Sequence, residues 1–197
     1  MNPRTQLVID EMARHSRQFE HLCHSLNEEE LRAQVPGSHW TVRDYIAHLC
    51  TIDGLIVGGF APMVGLQMPP ANPVPEQPFD IDDWNDAAVL SSRARSLDDL
   101  FEERNMHRER MVELIGAMTD QHLDMVIPYG GDRKSLNLPR SMVRFGGLLW
   151  GIAIHDPTHT RDILEAIPHR KGEHWISEWL DSVSDAQVPQ GVREQRV

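Results

Sequence analysis

The sequence predicts an all-α fold, four long helices packed as a bundle, and three observations carry that prediction. Apolar residues recur at three- and four-residue intervals over long stretches. Runs that alternate with a period of two are short. Ser, Thr, Asp and Asn caps and Pro/Gly breaks cut the chain into helix-sized pieces. At 197 residues the chain can bury a substantial core. The expected organisation is one helical domain over residues 1–183 and a frayed tail at 184–197.

Leu7, Val8, Met12, Phe19, Leu22, Cys23 and Leu26 keep helical spacing in a run free of Gly and Pro, which predicts a first helix over about 4–26, with His15 and His24 off its apolar stripe. Asn27 and Glu28–Glu30 look like a capped turn carrying a solvated acidic cluster, ended by Pro36-Gly37. Thr41 followed by Asp44 has capping-box spacing, so a second helix starts near Val42 and ends at Gly58-Gly59. Tyr45, His48, Leu49 and Ile52 share one of its faces.

Six prolines between Pro62 and Pro78 mark a long irregular connection between the second and third bundle helices. Its methionines and aliphatics, Met63, Leu66 and Met68 among them, are expected to border a cavity and to influence which substrate enters it. Asp82 or Asp83 caps a third helical region that starts at Trp84, breaks near Ser96 and continues through Met118. His107 and His122 read as surface residues. Residues 127–139 are rich in turn formers and have room for two short strands.

A fourth helix is expected from about Ser141. Its first half is apolar nearly all round, with Gly146, Gly147, Gly151 and Ala153 permitting close approach of neighbours. Pro168 stops it, and Trp175, Ile176, Trp179, Leu180 and Val183 form one more amphipathic piece.

Composition excludes several classes. The formal net charge is −11 and no Lys/Arg cluster forms a stripe that could track phosphates, so no nucleic-acid partner is expected. The stretch from Phe145 to Ile154 is about half the length of a bilayer span, and no apolar leader follows Met1, so the expectation is a cytoplasmic chain with no membrane partner. Cys23 and Cys50 are too few for a disulfide framework. Cys50 sits about 200° around the helix from His48, which argues against a thiol nucleophile at that histidine.

The chemistry is carried by His155 and His159. Four residues apart on a helix, they present two imidazoles on one face within reach of one ion. Eleven histidines in this length give roughly 0.6 such pairs by chance, so the spacing needs a third ligand from another element. His48 is the candidate. The segment Trp40-Thr-Val-Arg-Asp-Tyr-Ile-Ala-His48-Leu49, together with His155-x-x-x-His159 ahead of Ile163-Leu164, resembles the two signature segments of the DinB/YfiT-like superfamily.

That resemblance extends over about residues 5–166 as architecture. It implies a four-helix bundle of DinB-like type, with a long crossover connection between helices two and three, in which His48, His155 and His159 bind a divalent metal. Zinc is the first expectation for the ion and nickel the second. Relatives include thiol S-transferases and isomerases that use mycothiol, bacillithiol or glutathione, and hydrolases. The implied function is therefore metal-dependent transfer or isomerisation with a low-molecular-weight thiol cosubstrate; the alternatives are a metal-dependent hydrolase or a small-molecule sequestering protein. The expected partners are a small-molecule substrate and a second copy of the chain.

The chain departs from the family pattern at two places. Asp162 stands where members commonly have Gln, and Asp156 and Asp162 are the carboxylates expected to orient a ligand or take a proton. Pro157 lies between the paired histidines, so either the helix kinks there or a new helix starts with Asp156 as its cap. The second arrangement would splay the two imidazoles.

Overall fold

The computed structural model describes residues 2–65, 80–129 and 141–183. Within them α1 (Pro3–Ser25), α3 (Val42–Phe60), α5 (Leu97–Gly116) and the pair α7 (Phe145–Ala153) and α8 (His155–Ala166) form the bundle. Neighbours run α1, α5, α3, α8 and back to α1, a closed ring of four. Short α2 (Glu28–Arg32) and α6 (Asp120–Asp124) lie in the connections, α4 (Ile81–Ser92) packs on α3, and α9 (His174–Asp181) follows a 3-10 turn at Pro168–Gly172. A two-stranded antiparallel ribbon, β1 (Val126–Tyr129) with β2 (Ser141–Arg144), leads into α7, in register Val126 to Arg144.

The local signals explain most boundaries. The Asn2 side chain accepts from Arg4 N–H, and Pro3 occupies the first turn of α1. The Thr41/Asp44 capping box closes in both directions, Asp44 N–H to Thr41 Oγ1 at 3.3 Å and Thr41 N–H to Asp44 Oδ2 at 3.0 Å. Helix α3 runs past Gly58-Gly59 to Phe60, and the cap of α4 is Asp80 rather than Asp82 or Asp83. Gly146 does allow close approach, since a Cβ there would meet Leu123 O at 3.1 Å; Gly151 faces open space.

Three expectations about polar residues are corrected. Glu30 is not solvated: it completes the Asn27 capping box and is buried under Arg170, whose Nε lies 2.6 Å from Oε1. That pairing holds its carboxyl down at about 2. His107, expected at the surface, is buried on the inner face of α5. His15 is fully buried and accepts a hydrogen bond from Trp179 Nε1 at 2.8 Å, which ties α9 to α1.

The interior divides into two apolar cores. One packs Phe19, Leu22, Ile46, Leu49, Leu100 and Trp179; the other packs Met12, Val57, Met111, Leu114, Phe145 and Leu149. Charged side chains from the bundle helices meet inside the molecule as well. Arg104 of α5 donates to Asp156 Oδ2 of α8 at 2.5 Å and to Ser16 Oγ of α1 at 2.7 Å. Arg108 donates to Asp53 of α3 and reaches Asp156 Oδ1 at 3.3 Å. The Arg104 guanidinium also lies over the rings of Phe19 and Phe101.

Segment Val42–Val64 is long and apolar enough to cross a membrane by composition, but 67% of its most apolar window is buried inside the bundle, as befits a core helix.

Candidate metal centre

Pro157 shapes the site. It lacks the N–H that would bond the carbonyl four residues back, and the helical ladder breaks one residue before His155, at Ile154, with φ −98° and ψ 11°. Thr158 N–H resumes the ladder to Ile154 O at 3.1 Å. Both histidines therefore belong to α8, His155 at its first position and His159 one turn on, with Pro157 in the first turn, where an N–H is not needed. The splaying that a helix capped by Asp156 would cause does not occur, because the break falls ahead of the pair, not within it.

His48, two turns into α3, faces this pair across the contact between α3 and α8. Ring centroids are 4.6 Å apart for His155 and His159, 5.4 Å for His48 and His155, and 5.3 Å for His48 and His159. One ligand nitrogen from each ring falls within 4.8 Å of the others. The Nε2 atoms of His155 and His159 are 3.0 Å apart. Two imidazole nitrogens on one ion are about 3.3 Å apart in a tetrahedral site and about 2.9 Å in an octahedral one, so the observed spacing suits either.

The protonation pattern fits a cation too. His159 Nδ1 faces Asp162 Oδ2 at 3.0 Å, an arrangement that puts the ring proton on Nδ1 and leaves Nε2 with a lone pair. Burial, with the neighbouring imidazoles, pushes His48 well below its usual range and His155 down to about 3. Both rings are thus neutral at physiological pH, the form that ligates metal.

His48 is buried, while His155 and His159 are partly exposed, so the centre opens on the α8 side. Trp40 packs on His48 at 5.2 Å, and Tyr45 meets His159 edge-on at 5.5 Å. Trp40 is held by α4, its indole N–H donating to Asp86 Oδ1 at 2.8 Å.

The two expected carboxylates separate. Asp162 is about half exposed and engages His159. Asp156 is fully buried, with its oxygens taken by Arg104 and Arg108. Met63 lies in the 3-10 turn Ala61–Val64 that follows α3, whose end at Phe60 is about 18 Å along the helix axis from His48, so it does not border this centre. Leu66 and Met68 lie outside the described residues. Cys50 is buried with its thiol pushed up to about 12, in keeping with its exclusion as a nucleophile.

Sequence reasoning missed Asn85 and Asp86 of α4, which approach the site from the long connection. Asp83-Trp84-Asn85-Asp86 carries no ligand spacing, and its proximity to His48 depends on how α4 folds back along α3.

The sequence model of the DinB superfamily matches residues 11–163, a span that contains all three histidines and Asp162. The chain belongs to the DinB superfamily. No individually curated protein matches it. Within this family fold, His48, His155 and His159 form a cluster able to hold a divalent metal ion.

Proposed function

We propose that the protein is a divalent-metal-dependent enzyme that activates a low-molecular-weight thiol for S-transfer or isomerisation. The observation that supports this most is the convergence of three imidazoles at the open side of α8, with one ring nitrogen from each within 4.8 Å of the others. A divalent ion with only neutral ligands keeps its full charge and acidifies a thiol or water, supplying a nucleophile near neutral pH. Zinc suits the ligand set and spacing, with nickel the alternative.

The chain's own residues complete the site. Burial keeps His48 and His155 unprotonated. Asp162 is half exposed and holds the His159 ring by its far nitrogen; in this reading it also serves as the acceptor for the proton of an entering thiol. Asp156 acts at a distance by fixing the first turn of α8 through Arg104 and Arg108. Trp40 and Tyr45 give the entrance an aromatic wall.

The test is electrophile consumption by zinc- or nickel-loaded protein with mycothiol, bacillithiol or glutathione in turn. Turnover that requires both metal and one thiol supports the reading. Ester or amide hydrolysis without thiol would move the assignment to a hydrolase, and small-molecule binding that survives chelation would make the protein a sequestering module.

A further inference from the structure

Each neutral imidazole that ligates through one nitrogen carries a proton on the other, and inside a protein that proton needs an acceptor. His159 has one in Asp162. Among the described residues, His48 Nδ1 is buried without a hydrogen-bond partner, and so is Asn85 Oδ1. Helix α4 packs on α3, and the residue after Asn85 holds the Trp40 ring that lies on His48, so these two orphaned atoms belong to neighbouring elements; Asn85 also counters the burial that lowers His48.

The next residue, Asp86, pins this part of α4: it takes the Trp40 indole N–H at 2.8 Å and lies 2.7 Å from His39 Nε2. Trp40 in turn packs on His48.

We infer that Asn85 is a positioning residue of the histidine centre, its side-chain oxygen accepting the Nδ1 proton of His48 and turning the other ring nitrogen toward His155 and His159. An amide oxygen does this without adding negative charge to the site. The long connection between α3 and α5 thus reaches the centre through α4. The inference rests on the reading of the three histidines as a metal centre.

The experiment compares the parent with Asn85→Ala and Asn85→Asp by competition for zinc against a chromophoric chelator, with thermal melts of the metal-free proteins alongside. Asn85→Ala should weaken zinc binding roughly 10- to 100-fold. Asn85→Asp, which retains the acceptor, should recover most of it, and the metal-free melting midpoints should agree. Histidine-ring nitrogen NMR of the metal-free parent should show His48 protonated at Nδ1, and Asn85→Ala should shift that ring toward a mixture of tautomers.

Unchanged zinc affinity in Asn85→Ala overturns the role of Asn85, as does a loss that Asn85→Asp does not recover. If the parent itself binds no zinc, the metal reading fails, while the NMR arm still decides whether Asn85 sets the His48 tautomer.

Discussion

Asp156 and its flanking histidines leave the first turns of α8 for different surroundings. Asp156 enters the interior, where Arg104 and Arg108 take both of its oxygens and draw in Ser16 and Asp53 from two other helices. His155 and His159 meet His48 with their Nε2 atoms 3.0 Å apart and no counter-charge between them. The ionic cluster balances its charge with protein groups of opposite sign, two arginines against two aspartates, although Asp53 Oδ1, Arg104 Nε and Arg108 Nη1 find no hydrogen-bond partner among the described residues. The histidine cluster gathers like groups and is able to take a cation from outside. One short segment of chain therefore supplies both a brace that fixes the helix and the ligands that the brace presents.

The sharpest way to break this contrast is to remove one partner of the brace. Arg104→Ala leaves Asp156 buried beside a single arginine and strips the cation from between Phe19 and Phe101. It should cost about 3–5 kcal/mol of stability, read by thermal or denaturant unfolding. A loss below about 1 kcal/mol would mean that the brace contributes little.

A histidine outside the cluster sharpens the comparison, because the protein uses His15 as an acceptor for Trp179 rather than offering it to a ligand. Burial, with Arg14 beside it, holds its folded pKa down to about 4. The unfolded ring, with its pKa near the ordinary value of about 6.5, takes up a proton that the folded ring refuses. Stability is therefore complete above about pH 6.5 and falls as the pH drops toward 4, by up to about 3 kcal/mol from this residue. His15→Gln should be less pH-sensitive than the parent across that window when both are melted without metal. Equal slopes would assign the effect elsewhere.

The smallest effect is expected at Pro157. In a helix interior, replacing Pro by Ala gains on the order of 3 kcal/mol. In the first turn of α8 the missing N–H costs little, so Pro157→Ala should change stability by less than about 1 kcal/mol and leave metal content intact. A gain near 3 kcal/mol would show α7 and α8 to be one strained helix.

Much of this was legible in the sequence because it lay in local spacing. The stripe of α1, the Thr41/Asp44 cap and the four-residue interval from His155 to His159 are properties of single helices. His48 was identified by resemblance, since nothing within α3 distinguishes a ligand from a core histidine. The ionic cluster was harder to see because its partners lie far apart in sequence and Glu102-Glu103-Arg104 reads as a solvated face. A signal was present all the same: Arg104 and Arg108 fall on the stripe of Leu100, Phe101, Met111 and Ile115, and Asp53 interrupts an apolar run. A charge on an apolar stripe requires a partner from another helix. The position of Pro157 was ambiguous because sequence places the proline but not the residue at which the ladder breaks. Asn85 had no local mark, and only the return of α4 along α3 brings it to His48.

The central claim, that His48, His155 and His159 act together on one ion, is tested most directly by metal analysis. Parent, His48→Ala and His159→Ala are loaded with zinc or nickel and dialysed against a weak chelator. The parent should retain about one ion per chain, and each variant should lose most of it while folding as the parent does. Retention by both variants equal to that of the parent would contradict the shared centre.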